Sequence, residues 1–263
     1  MSGSTVGATT LRAPEGGWPR DRKSWWPWRI CSAILFPVLG FLARVEATHA
    51  ERLPAAGPVV IASNHVSVID PVYLVKAFYR LGRLARFLAK KSIWKVPVIG
   101  GIMQSSGQIA VDRAGGAAAS LQAAEQLVAT GSMVIVYPEA TLTRDPDLWP
   151  MRGKTGAARL ALESGIPLVP IAHWGAQRVL PPYGRLRWWP WPRKRIVVSV
   201  GEPLDLTPWQ GRPIDQRTLA EVTEALMDAI TALLAELRPG ETPPERRWDM
   251  GVDGDPYRRG ARR

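Results

Sequence analysis

The sequence predicts an α/β fold: one domain with a mixed, largely parallel sheet covered by helices, preceded by an N-terminal interfacial helical segment. Three observations predict it. Short apolar runs crowded with Val and Ile alternate with longer stretches rich in Ala, Leu and Glu, which is the pattern of strands alternating with helices. Several of those runs end abruptly in polar residues, at the carboxyl ends of strands where α/β sheets bind their ligands. The chain has 263 residues and is 46% hydrophobic, enough for one large core.

Taken in order, residues 1–24 are rich in Gly, Ser, Thr and Pro without periodicity and predict a disordered tail. Residues 25–44 predict a membrane-interface segment. Trp25, Trp26 and Trp28 stand beside basic residues in "SWWPWR", and "ICSAILFPVLGFLA" (30–43) is apolar but broken by Pro37 and Gly40. That run is shorter than the roughly 20 apolar residues of a membrane span, so it reads as an interfacial or re-entrant helix, or one packed on the domain. A signal peptide is the other reading. It would need an n-region of about 30 residues, and neither a twin arginine nor a small-x-small cleavage site accompanies it.

The folded domain is expected over 45–238. "GPVVIAS" (57–63), "GQIAVDR" (107–113), "MVIVYPE" (133–139), "IPLVPIAHWG" (166–175) and "RIVVSVGEPLD" (195–205) read as strands and their ends. Helical patterns occupy 70–82, 116–131, 154–165 and 218–237. From 239 to 263 the chain is again Gly/Pro-rich and charged, and predicts a disordered basic tail.

The formal net charge is +11, so the natural partners are anionic: nucleic acid, acidic lipid or phosphorylated metabolites. Two Trp-rich basic clusters, the second being "RWWPWPRKR" with Trp188, Trp189 and Trp191, favour lipid, because indole rings settle at head-group depth while cations meet phosphates. No nucleic-acid partner is expected. The single cysteine, Cys31, excludes an intrachain disulfide and a multi-cysteine metal site, and suits a reducing compartment. Together these place the chain at the cytoplasmic face of the cell membrane, peripheral or monotopic.

The chemistry concentrates in "VVIASNHVSVIDP" (59–71). A strand over 59–62 ends just before His65, leaving the imidazole on the loop at its carboxyl end. Asp70-Pro71 reads as a helix N-cap followed by proline at the first helical position. The short loop between also lets Asp70 fold back on His65, where a carboxylate would fix the imidazole tautomer and stabilise the cation formed when His65 takes a proton. No G-x-S-x-G elbow is present, so the nucleophile is expected to be the substrate's own hydroxyl. "RGKTG" (152–156) resembles the end of a P-loop, but the position of its first glycine is Leu148. Two more apolar runs end in polar residues, at Asp112-Arg113 and at Tyr137-Pro138-Glu139-Ala140-Thr141. Arg113 can meet a phosphate in bidentate fashion, and Glu139 can accept from a substrate hydroxyl or pair with Arg113; both are also ordinary loop charges. Arg144, Arg152 and Lys154 extend this basic face. His49 and His173 read as structural, and no metal site is expected.

These blocks, in this order, resemble the glycerolipid acyltransferase family of PlsC type, whose members acylate lysophosphatidate. "NHVSVID" is similar to its N-H-x4-D block, "GQIAVDR" to G-x-I-x-V-D-R, "YPEAT" to F/Y-P-E-G-T and "IPLVPIAHWG" to its apolar V-P-I block, over residues 45–205. The resemblance implies His65 as general base on a glycerol hydroxyl and Asp70 as its orienter. Attack would fall on the thioester of acyl-CoA or an acyl carrier protein, the donor substrate, with no cofactor. It further implies that Arg113 binds the acceptor phosphate and that Asn64, Glu139, Ala140 and Thr141 line that site. The sequence departs from the pattern at Ala140, where the family usually has glycine; if φ there is positive, alanine costs about 1–2 kcal/mol. The same chemistry on glycerol-3-phosphate, a glycolipid or a lyso-aminolipid is the neighbouring alternative. A non-catalytic basic membrane-binding protein is the distant one, and it has no use for His65 and Asp70 together.

Overall fold

The computed structural model describes residues 29–90, 94–97, 99–105, 107–111, 127–187 and 191–257, with single positions at 122, 125 and 189. The expected tail at 1–24, Trp25, Trp26, Trp28, Trp188, Asp112, Arg113, most of the 116–131 helical pattern and residues 258–263 lie outside the described residues.

Seven strands form one sheet: β1 (Ala43–Thr48), β2 (Val59–Ser63), β3 (Ala85–Lys90), β4 (Ile109–Val111), β5 (Met133–Val136), β6 (Leu168–Trp174) and β7 (Lys194–Val200). Their order is β1-β7-β6-β2-β5-β3-β4. All neighbours are parallel except β6 and β7, which run antiparallel with Ile171 opposite Val200. The sheet is mixed and largely parallel, as the alternating pattern predicts.

β2 lies near the middle and is buried along its whole length. A strand covered on both faces must be apolar at every position, which is why it reads "VVIAS" rather than alternating. Val59 and Ile61 face one layer, where Tyr73, Leu74 and Phe78 of α2 (Asp70–Arg80) and Phe36 and Leu39 of α1 (Phe36–Leu42) pack. Val60 and Ala62 face the other, built from Ala157, Leu160 and Ala161 of α4 (Gly156–Ser164) and Leu219, Val222, Leu226 and Ile230 of α5 (Gln216–Glu236). The small α3 (Ile99–Ser105) was not evident in the sequence. α5 starts where the Asp215 carboxylate accepts from the Thr218 amide at 2.8 Å, an N-cap that satisfies one of the four open donors of the first turn.

Two sequence expectations change here. β1 begins at Ala43, inside the stretch read as the end of the interfacial segment, and pairs in register with β7 along an edge of the sheet. Ahead of it, a π-helical turn (Cys31–Leu35) runs into α1. Pro37 supplies no N–H to the carbonyl of the preceding turn and its ring crowds that carbonyl, which accounts for the widened turn. Second, residues 239–257 of the expected disordered tail fold back on the domain. The Arg152 amide donates to the Trp248 carbonyl at 3.0 Å, Arg247 pairs with Glu224 and Asp228 on α5, and the Tyr257 ring rests on Tyr183 at 4.5 Å. Charge pairing with an acidic stretch of α5 supplies what apolar content does not. No helix among the described residues is long and apolar enough to cross a membrane, in line with the length of the 30–43 run.

Candidate active site

Because β2, β5 and β6 are parallel neighbours, their carboxyl ends open on the same edge. His65 follows β2 there, Glu139 follows β5, and His173 lies near the end of β6. The His65 Nδ1 lies 2.9 Å from Asp70 Oδ2. The same oxygen accepts from the amides of Val66 at 2.8 Å and Ser67 at 2.7 Å. Asp70 is 1% exposed. Its carboxylate turns back into the 65–67 loop and does not cap α2, whose N-cap residue is Ile69 without a side-chain cap bond. The cap role read from Asp70-Pro71 is therefore corrected: Asp70 is the first helical residue, and its acceptor capacity goes to the loop before it.

With Nδ1 committed to a carboxylate, Nε2 is the ring nitrogen left to a substrate, and a proton arriving there makes an imidazolium facing Asp70. The ring is stacked on Tyr137, centroid to centroid 4.0 Å at 17°. Phe87 continues the stack behind Tyr137 at 6.3 Å. A flat aromatic floor holds the imidazole plane in line with Asp70 and away from bulk water on that side.

The backbone of His65 is held from two directions. Its amide donates to Glu139 Oε1 at 3.0 Å, and its carbonyl accepts from the Thr143 amide at 2.8 Å. Glu139 Oε2 accepts from the Met151 amide at 3.0 Å. Glu139 is 3% exposed and both of its oxygens bind backbone donors, which ties the 65 loop to the 139–151 loop, while Arg113, its expected partner, lies outside the described residues. Asn64 is likewise engaged within the fold. Its side chain mimics a peptide group, donating to the His173 carbonyl at 3.0 Å and accepting from the His173 amide at 2.9 Å, and it is buried against β6 instead of facing a cleft. The His173 ring completes the cluster, with Nε2 3.0 Å from the Asn64 carbonyl oxygen and 3.5 Å from Asp70 Oδ2. Just beyond it Gly175 sits at φ 114°, where a Cβ would come within 2.1 Å of the Arg195 carbonyl oxygen on β7. That contact requires glycine at the end of β6.

Burial sets the protonation of this cluster. It holds His173 below its usual value of 6.5, against the pull of Asp70, which favours the neutral ring. Burial also pushes the Glu139 carboxyl up to about 8, against the Met151 and His65 amides that favour its anion. A carboxyl raised from 4.5 in this way binds more protons folded than unfolded. Its contribution is fully present below about pH 4.5 and is lost as pH rises toward 8, with a slope of up to roughly 1.4 kcal/mol per pH unit. Glu139→Gln is therefore expected to flatten the fall in thermal midpoint between pH 5 and 8. It also sets an NH2 against one of two backbone N–H groups, which lowers stability at pH 5 by about 1–3 kcal/mol. A variant that keeps the wild-type slope would reassign it to another group.

Ala140 has φ 58°, the left-handed conformation for which the family's usual glycine suits, and it closes a turn through its amide to the Tyr137 carbonyl at 2.9 Å. Alanine has kept the glycine-type backbone and bears the strain. Since Ala140 is exposed, Ala140→Gly loses no packing. After the greater unfolded-state freedom of glycine is subtracted, it should stabilise by roughly 0.5–1 kcal/mol. Calorimetry checks this; a lower midpoint would show that the methyl group packs against something. Thr141 is half-buried, and the nearby Tyr183 hydroxyl donates to the Leu142 carbonyl at 3.4 Å. Of the extra basic residues, Arg144 lies over Tyr183 at 4.3 Å and faces Asp255 at 3.4 Å, and Arg152 pairs with Asp249 at 2.9 Å. Arg113, expected beside the phosphate, lies outside the described residues. Among the described residues no cluster of three or more His, Cys, Asp or Glu side chains is placed to hold a metal.

A family model described as "Acyltransferase" matches residues 44–174, from β1 to the end of β6. The chain is 29% identical over 206 residues to the 1-acyl-sn-glycerol-3-phosphate acyltransferase of Bacillus subtilis, covering 78% of this chain and 96% of that protein. It is 34% identical over 134 residues to the chloroplastic 1-acyl-sn-glycerol-3-phosphate acyltransferase BAT2 of Brassica napus, 50% of this chain but 37% of that longer protein. The crystal structure of the 1-acyl-sn-glycerophosphate acyltransferase PlsC from Thermotoga maritima superposes with a TM-score of 0.58 at 21% identity, over 86% of each chain, which establishes the fold.

Proposed function

Because the chain belongs to the acyltransferase family, we propose that it moves a fatty acyl group from a thioester donor, acyl-CoA or acyl carrier protein, to the sn-2 hydroxyl of lysophosphatidate, giving phosphatidate. The observation that carries the reading is the His65–Asp70 pair, 2.9 Å apart at the carboxyl end of β2 with its backbone tied on two sides. In this mechanism His65 Nε2 takes the hydroxyl proton as the oxygen attacks the thioester carbon. Asp70 stabilises the resulting imidazolium. The tetrahedral intermediate then expels the thiolate, which receives the proton back from His65, and no acyl-enzyme forms. The restraints on His65 serve the positioning that such a two-substrate reaction needs. Arg113 is proposed to bind the acceptor phosphate, with Thr141 and Ala140 at the edge of that site.

The substrate and product are bilayer lipids, and peripheral docking fits the exposed stripe Ile30, Ile34, Val38 and Phe41 on the π-turn and α1. The lone Cys31 suits the cytoplasmic face. The experiment is thiol release from acyl-CoA, and from acyl carrier protein, by purified protein in detergent with a panel of acceptors. Release dependent on lysophosphatidate with phosphatidate formed supports the reading. Release with another lysolipid alone would move the acceptor assignment, and none with any acceptor would remove it.

A further inference from the structure

A concentration of positive charge lies on the α1 side of the molecule, on the helix whose first residue is Asp70. The Lys76 ammonium is 8% exposed and donates to the Phe36 carbonyl at 2.8 Å. Gly40 permits this approach: a Cβ there would lie 2.9 Å from Lys76 Nζ and 3.7 Å from Arg193 Nη2. Arg80 is four residues beyond Lys76, on the same face of α2. Burial, then repulsion from Arg80 and Arg193, holds the Lys76 ammonium below its usual value, so Lys76 feels both neighbouring cations. Among the described residues none of the three has a carboxylate partner, although most other arginines of the domain surface do. Like charges gathered without counter-charge are costly and call for an anion from outside.

The surroundings say what kind. Beside Gly40 opens a cleft of about 400 Å³ lined by Pro37, Gly40, Phe41, Trp191 and Arg193. Phe41 is 63% exposed and Trp191 78% exposed. A soluble phosphate has no use for a tryptophan and a phenylalanine projecting into solvent, whereas a lipid brings a phosphate at the depth of indole rings and chains below it. We propose that Lys76, Arg80 and Arg193, with the cleft between α1 and Trp191, form a binding site for the headgroup of an anionic phospholipid in the bilayer, separate from the acceptor site. It rests on the peripheral-docking reading above and adds lipid selectivity to it. Two of the cations flank the α1 interface, so one headgroup would bridge α1 to the 191–194 strand start.

The test is vesicle flotation of the full chain on neutral phosphatidylcholine and on the same lipid with phosphatidylglycerol, reading the ratio of the two binding constants. Arg80→Gln with Arg193→Gln should cut that ratio by roughly fivefold per charge removed. Gly40→Leu, which keeps the charge and fills the cleft, should also lower it. The control pair Arg212→Gln with Arg217→Gln, on the α5 side of the sheet, should leave it nearly unchanged at physiological salt. An equal loss in the control pair would reduce the effect to net charge and overturn the site. So would a full ratio in Gly40→Leu with an unshifted thermal midpoint. Displacement by inorganic phosphate at constant ionic strength would assign the cations to a free anion instead. Wild type floating equally on both vesicles removes the site but leaves docking, and wild type floating on neither removes docking itself.

Discussion

His65→Ala is expected to lower acyl transfer by about 10²–10⁴-fold, the usual worth of a positioned general base, while the protein remains folded. The two effects separate because the loop does not depend on the ring. The His65 amide and carbonyl are engaged by Glu139 and the Thr143 amide whatever side chain is present. Asp70 Oδ2 keeps the Val66 and Ser67 amides after the imidazole is gone. What disappears is the stack on Tyr137 and the proton acceptor. Thiol release in detergent gives the activity, and the thermal midpoint reports the fold. KM for the acceptor should change little, since the ring acts on the hydroxyl and contributes little to holding the phosphate. Turnover within a factor of a few of wild type would sink His65 as the base.

How far the sequence reaches is clear from the same residues. β2, β5 and β6 are legible because strands buried on both faces must be continuously apolar, and the His65–Asp70 spacing is legible because four residues are too few to carry Asp70 away. β1 is hidden because "ARVEAT" buries only Ala43 and Val45 and directly follows an apolar helix. The duties of Asn64 and Glu139 are hidden for a different reason: their partners are backbone groups of His173, 109 residues away, and of Met151. Backbone donors carry no residue code, so a polar residue in a matching motif reads as a substrate ligand when it is a brace. His173 reads as structural, and nothing in an isolated histidine on an apolar strand shows that it meets Asp70. The folded segment 239–257 carries one usable signal, Arg247 set against Glu224 and Asp228 on the outer face of α5.

Asp70→Asn is expected to keep the stability of the fold and lose most of the activity, whereas Asp70→Ala is expected to lower both. Asp70 Oδ2 takes all three short contacts, from His65 Nδ1 and two amides, while Oδ1 has no partner among the described residues. Asparagine can therefore put its oxygen where Oδ2 sits and its NH2 where Oδ1 sits, keeping the geometry and removing only the charge. The imidazolium formed during proton transfer then faces a neutral dipole in a buried site. The expected fall in turnover is about 10²–10⁴-fold, comparable to losing the base. Alanine instead leaves the Val66 and Ser67 amides buried without acceptors, at about 1–3 kcal/mol each. For a domain of this size that lowers the thermal midpoint by several degrees. Activity and midpoint measured on both variants divide the charge of Asp70 from its role as a brace. An asparagine variant with more than about a tenth of wild-type turnover would show that orienting the ring is enough, and that the negative charge contributes little to the roughly 10²–10⁴-fold effect of the base.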